Sequence, residues 1–116
     1  MISTSKKILV AERDPIVLAV VNYLLTRRGY QIETHTEAAT AADSLRSRRF
    51  DAALISADFS DPDWMGSVFR DVPSLRHRVI VTGTPAGDGD LPLYSILSKP
   101  IDFTALMETV RSCLGD

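Results

Sequence analysis

The sequence predicts a doubly wound α/β fold on a five-stranded parallel sheet, and three observations lead there. Short apolar runs alternate with stretches of helical periodicity, glycines and prolines punctuate them, and the connections are brief. Such alternation places parallel strands side by side through right-handed crossovers, with helices on both faces. The expected strand order is 2-1-3-4-5, and chemistry on such a sheet gathers at the carboxyl ends of the strands, beside the switch between the first and third.

Taken in order, Lys7 to Ala11 reads as a strand buried on both faces. Asp14 is placed to cap the following helix and Pro15 suits its first position, where a missing N–H costs nothing. Val17, Val20, Val21, Leu24 and Leu25 form one apolar stripe, and Gly29 behind Arg27 and Arg28 stops it. Tyr30 to Thr34 alternates as a half-exposed strand, and Thr36 is the expected cap of an Ala-rich helix through about Leu45. Phe50 to Ile55 is the third strand, Trp64 to about Val72 a short helix ahead of Pro73, and Arg78 to Thr82 the fourth strand. Gly83 to Pro92 holds three glycines and two prolines, so the fourth helix of a regular doubly wound fold is expected to be missing or reduced. Tyr94 to Leu97 is the fifth strand, and Asp102 caps a final helix carrying Phe103, Leu106, Met107, Val110 and Leu114 on one face.

Length and charge narrow the function classes. The 116 residues fit one domain spanning 1–116. Thirteen Lys and Arg against fifteen Asp and Glu give a net charge of −2, which supplies no basic face for nucleic acid. No apolar run is long enough to span a membrane, and the single Cys113 reads as a small buried residue of a cytoplasmic protein rather than a disulfide or metal ligand. His35 and His77 lack metal-ligand neighbours. Neither a G-x-G-x-x-G nor a P-loop is present, which argues against a nucleotide-binding enzyme.

The residues at the predicted strand ends are Glu12, Arg13 and Asp14 after the first, Ser56 to Asp58 after the third, Thr82 after the fourth, and Lys99-Pro100 after the fifth. In this order, together with Ile8 to Pro15, Gly29-Tyr30, Leu45 to Asp51, Val79 to Thr82 and Leu97 to Pro100, the chain resembles the receiver domains of two-component response regulators over nearly its whole length. The resemblance implies a flavodoxin-like receiver fold. It also implies clustered carboxylates that hold Mg²⁺, an acceptor carboxylate that attacks phosphorus, a Lys that pairs with the phosphate, and a hydroxyl that reports its arrival. Lys99 and Thr82 match the last two roles.

The carboxylate end departs from the family. Glu12 matches one of the acidic pair, but Arg13 stands where the main metal ligand belongs, leaving Asp14 as a weak substitute. Counting forward through the third strand, the phosphoacceptor position falls on Ser56. Counting backward from the loop, Asp58, Pro62 and Gly66 give the family's acceptor spacing instead. Two extra residues are absorbed more easily in a surface loop than in a buried strand, which favours Ser56 and keeps Asp58 as the alternative. Ile96 replaces the aromatic residue that the family carries three positions before its Lys, with Tyr94 on the same strand parity.

The leading expectation is therefore a non-enzymatic receiver module of a phosphorelay with a degenerate site, acting by protein–protein interaction with a sensor histidine kinase or another signalling protein. Nucleic acid and membrane are not expected partners. Two alternatives stand beside it: a phosphorylation-competent single-domain response regulator that uses Asp58 with Mg²⁺ held by Glu12 and Asp14, and a small flavodoxin-like ligand-binding protein or enzyme.

Overall fold

A computed structural model describes residues 5–59, 62–84 and 91–116, and in them the alternation read from the sequence is realised strand by strand. The elements are β1 (Lys7–Ala11), α1 (Pro15–Arg27), β2 (Gln31–His35), α2 (Ala38–Ser47), β3 (Ala52–Ser56), α3 (Pro62–Asp71), β4 (Val79–Thr82), β5 (Ser95–Leu97) and α4 (Phe103–Leu114). All pairings are parallel, in the order β2-β1-β3-β4-β5.

Parity along the strands builds two cores, one on each face. Leu9, Ala11, Ala53, Ile55, Val79 and Val81 point to the side covered by α2 and α3, where Leu45, Met65, Val68 and Phe69 meet them. Ile8, Val10, Ala52, Leu54 and Ile80 point to the other side, against Val21 and Leu25 of α1 and Leu106 and Val110 of α4. Each large aliphatic side chain buried this way stabilises the fold by about 1.5–3 kcal/mol relative to leaving it in water. Cys113 joins the second core, and burial pushes its thiol above the ordinary range despite the nearby Arg78.

Cap chemistry sets the ends of two helices as expected. Asp14 Oδ1 accepts from the Ile16 and Val17 amides at 2.9 and 3.2 Å, and Asp102 Oδ1 accepts from Thr104 and Ala105 at 2.9 and 3.1 Å. The second helix departs from expectation. Its N-cap is Glu37, without a side-chain cap bond, and Thr36 lies outside it. The hydroxyl at work there is that of Thr40, which bonds back to the Glu37 carbonyl at 3.1 Å. Helix α3 also begins two residues earlier than expected, at Pro62 rather than Trp64, because a proline is well suited to a helix start. Trp64 packs against the first core, and its indole N–H donates to the Ala38 carbonyl at 3.1 Å, tying α3 to the first turn of α2.

Residues 85–90, on which the expected loss of the fourth helix chiefly falls, lie outside the described residues. The flanking residues 83–84 and 91–94 are non-helical. Leu91 and Leu93 fold back against the first core.

Because Asp102 satisfies two otherwise orphaned amides of α4, Asp102→Ala should destabilise the protein by about 1 kcal/mol. Urea unfolding monitored by far-UV circular dichroism checks this, and an unchanged midpoint would show that α4 is held by packing alone.

Candidate functional site

The register of the sheet decides where each strand-end residue stands. Ser56 is the last residue of β3 and pairs across from Thr82, the last of β4. Both are almost fully buried, at 1% and 3% exposure. Asp58 lies two residues further on, in a 3-10 turn over Ala57–Phe59, with its side chain 67% exposed. Its amide points back toward Ser56 Oγ at 3.4 Å.

Lys99 gathers these groups. Its Nζ donates to Ser56 Oγ at 3.0 Å and stands 3.6 Å from both Glu12 Oε1 and Asp58 Oδ2. The two ion pairs are not equivalent. Asp58 is open to water, where such a pair contributes little, whereas the Glu12 side chain is 5% exposed and the ammonium is its closest cation. The other Glu12 oxygen accepts the Asp14 amide at 3.1 Å, so this buried carboxylate is held at both ends. Gly83 packs beside the lysine stem. With φ at 98°, it occupies a conformation that favours glycine, and a Cβ there would come within 3.3 Å of the Ala57 Cβ and 3.7 Å of the Lys99 stem.

Arg13 does not join the cluster. Its guanidinium lies over the Phe59 ring, 5.0 Å from the centroid, a cation–π contact worth about 0.5–2 kcal/mol. The turn that carries Asp58 is thus clamped from above. Asp14 stands on the rim with Oδ1 committed to the helix cap. Among the described residues, no group of three or more His, Cys, Asp or Glu side chains converges as a metal shell would require.

Beside Lys99 opens a cleft of about 330 Å³ whose polar side is Glu12, Asp14 and Asp58 and whose apolar wall is Val17, Ile101 and Phe103. Sequence reading did not foresee that wall, although Ile101 follows the Lys-Pro pair directly and Phe103 opens the last helix. It also passed over a polar cluster beside the site. Glu33 Oε2 meets His35 Nε2 at 2.7 Å and Arg48 at 3.1 Å, while His35 Nδ1 meets Thr40 Oγ1 at 3.1 Å. The His35 carbonyl accepts the Glu12 amide at 3.0 Å, so this cluster fixes the backbone from which Glu12 projects. The available signal was parity: Glu33 and His35 are two apart on one strand and share a face.

Solved receiver domains share this fold. A response-regulator receiver domain from Methanospirillum hungatei superposes with a TM-score of 0.84 at 18% identity, covering 97% of this chain and 95% of its own. The signal receiver domain of an HD-domain protein from Pseudomonas fluorescens gives 0.81 at 24% identity, with coverages of 99% and 90%. The receiver domain of a sensor histidine kinase from Pseudomonas aeruginosa, with magnesium coordinated in its active-site cleft, gives 0.75 at 22% identity, with coverages of 97% and 100%. No protein-family model matches the sequence, and no curated protein matches it either. The chain therefore has the flavodoxin-like receiver fold, read from its structure. Among the described residues, no helix is long and apolar enough to cross a membrane.

Burial acting alone would raise the Glu33 carboxyl, but hydrogen bonds from His35 and Ser44 and the Arg48 charge outweigh it and hold the group below its ordinary value of 4.5. A carboxyl lowered in the folded state contributes stability that is complete above the unfolded value and is lost as pH falls through the folded one. Glu33→Gln should therefore lower the urea midpoint at neutral pH and flatten its decline in the acid range below about pH 4.5. Parallel midpoint-versus-pH curves for the two proteins would contradict this.

Proposed function

We propose that residues 1–116 work as a single receiver-like signalling module with a degenerate phosphorylation site, acting by contact with another protein of a two-component pathway in the cytoplasm rather than by turnover. The observation that carries this reading is the Lys99–Ser56 hydrogen bond of 3.0 Å at the end of β3. In the acceptor position stands a neutral hydroxyl, already engaged by the lysine that would otherwise meet a phosphoryl group.

The donor set does not fit magnesium. Mg²⁺ asks for a near-octahedral shell of oxygens supplied in part by carboxylates. Here Ser56 offers no charge, Arg13 faces Phe59, and an ammonium stands 3.6 Å from each of the two nearest carboxylates, Glu12 and Asp58. A divalent ion placed there would have to displace Lys99 from its buried partner. The aromatic report of phosphorylation is also missing: Ile96 is half exposed on β5, and the Tyr94 hydroxyl is joined to Ser112 Oγ of α4 at 2.7 Å. On this reading the β5 edge and α4 present one constant surface to a partner, a sensor histidine kinase or another signalling protein.

A second reading keeps phosphoryl transfer and places it on Asp58, with Thr82 and Lys99 in their family roles. What favours it is the exposure of Asp58 and its 3.6 Å approach to Lys99. Incubation with Mg²⁺ and acetyl phosphate followed by intact-mass measurement separates the two. The wild-type protein should gain no labile phosphoryl group, and Arg13→Asp combined with Ser56→Asp should restore uptake. A labile gain on the wild type that Asp58→Asn abolishes would overturn the degenerate site in favour of the second reading.

A further inference from the structure

A net charge of −2 averages over two ends of opposite sign, which the fold separates. At the carboxyl end of the sheet stand Glu12, Asp14, Asp58 and Asp102, against Arg13 and Lys99. At the amino end, where the chain enters the central strands, stand Lys6 and Lys7 at the entry to β1, Arg49 ahead of β3, and Arg76 and Arg78 ahead of β4. The five-residue strands β1 and β3 hold the two ends roughly 16 Å apart, about twice the Debye length of ~8 Å at physiological salt, so the acidic end does not cancel the basic one.

The carboxylates at the amino end are already engaged. Asp71 pairs with Arg46 at 2.8 Å, and Asp51 Oδ2 accepts the Lys7 amide at 2.7 Å. Asp116 lies in a hollow with Lys6, Arg28 and Arg111 and accepts the Tyr30 hydroxyl at 2.9 Å. Residues 1–4 bring no acidic side chain. The four helices also end here, but Arg27, Arg28 and Arg111 at the ends of α1 and α4 and Arg48 at the end of α2 serve those termini. Arg49, Arg76 and Arg78 are left exposed, and among the described residues none of them makes an ion pair.

Their arrangement selects the occupant. β1, β3, β4 and β5 are consecutive in the sheet, so Lys7, Arg49, the Arg76–Arg78 pair and Tyr94, which leads into β5, form a row over three strand spacings, about 14 Å. Main-chain bonds hold the entries side by side: Asp51 donates to the Lys7 carbonyl at 2.8 Å, Ala53 to Arg78 at 3.1 Å and Tyr94 to Val79 at 2.8 Å. The exposed apolar side chains Ile16, Tyr23 and Ile96 lie on α1 and β5, away from the row, which leaves it without the apolar core of a protein interface or a wedge for a membrane. A line of guanidinium groups, which match phosphate geometry, ending on one exposed aromatic residue is the chemistry that receives a single nucleic-acid strand.

We propose that the amino end of the sheet binds the backbone of single-stranded nucleic acid, its phosphates meeting Arg49, Arg76, Arg78 and Lys7 and a base stacking on Tyr94. This surface lies at the opposite end of the sheet from Ser56 and Lys99, and the proposal stands whichever way the phosphoryl test turns out. The test is fluorescence anisotropy of the full chain titrated into a labelled oligothymidylate of about twelve nucleotides, at about 50 and about 200 mM NaCl. Saturable binding should appear at the lower salt and weaken at the higher with a log–log slope of about −2 to −3, since three or four neutralised phosphates contribute ~0.7 each. An Arg49→Ala, Arg76→Ala, Arg78→Ala variant should bind at least roughly tenfold more weakly, while an Arg49→Lys, Arg76→Lys, Arg78→Lys variant should keep most of the affinity and the slope. All three side chains are exposed, so both variants should keep the wild-type far-UV spectrum and urea midpoint. No saturable binding at the lower salt, binding indifferent to the alanine substitutions, equal losses in the two variants, or equally tight binding of polyglutamate or of phosphatidylglycerol vesicles through the same arginines would each overturn the proposal.

Discussion

The placement of one ammonium group organises the mouth of this fold. Lys99 enters from the end of β5, passes the bare Cα of Gly83 and reaches the ends of β1 and β3, where Ser56 and the buried Glu12 receive it. A carboxylate as deeply buried as Glu12 is costly unless a charge and a hydrogen bond compensate it. Lys99 and the Asp14 amide are what compensate it here. Neighbouring features support the arrangement: the β2 carbonyl that holds the Glu12 backbone, and the Glu33–His35–Arg48 cluster beside the end of β2.

On the proposed reading, the same placement accounts for a site that departs from a phosphate switch. A receiver site balances several carboxylates against a divalent cation and uses lysine for the incoming phosphoryl charge. On that reading Ser56 and Arg13 stand where carboxylates would, less negative charge converges, and a monovalent ammonium balances it. Arg13 costs little because it finds Phe59 instead of the cluster. The turn bearing the exposed Asp58 is held at the surface by this contact.

Much of this was legible in the sequence, for identifiable reasons. Strand order and the two-faced core follow from periodicity and short connections, and the Asp14 and Asp102 caps follow from local hydrogen-bond chemistry that needs no tertiary information. Ser56 at the end of β3 was reachable by counting, because a buried parallel strand between two neighbours cannot absorb two extra residues. What stayed hidden depends on approach between distant segments. That Arg13 would lie on Phe59 and that Phe103 and Ile101 would wall the cleft are consequences of how distant loops and helices dock, which single-sequence patterns do not encode. The Thr36 cap failed by one position: α2 opens with Glu37 as its N-cap, which leaves Thr36 just outside the helix.

The central claim is that Lys99 already neutralises the pocket, so that magnesium finds no shell there. It is tested most directly by titrating MgCl₂ into the wild-type protein and following the amides of Glu12, Ser56 and Asp58 by ¹H–¹⁵N NMR. The account predicts only small, non-saturating shifts spread over exposed carboxylates. Saturable shifts centred on those three residues, accompanied by release of the Lys99 ammonium from Ser56, would contradict it.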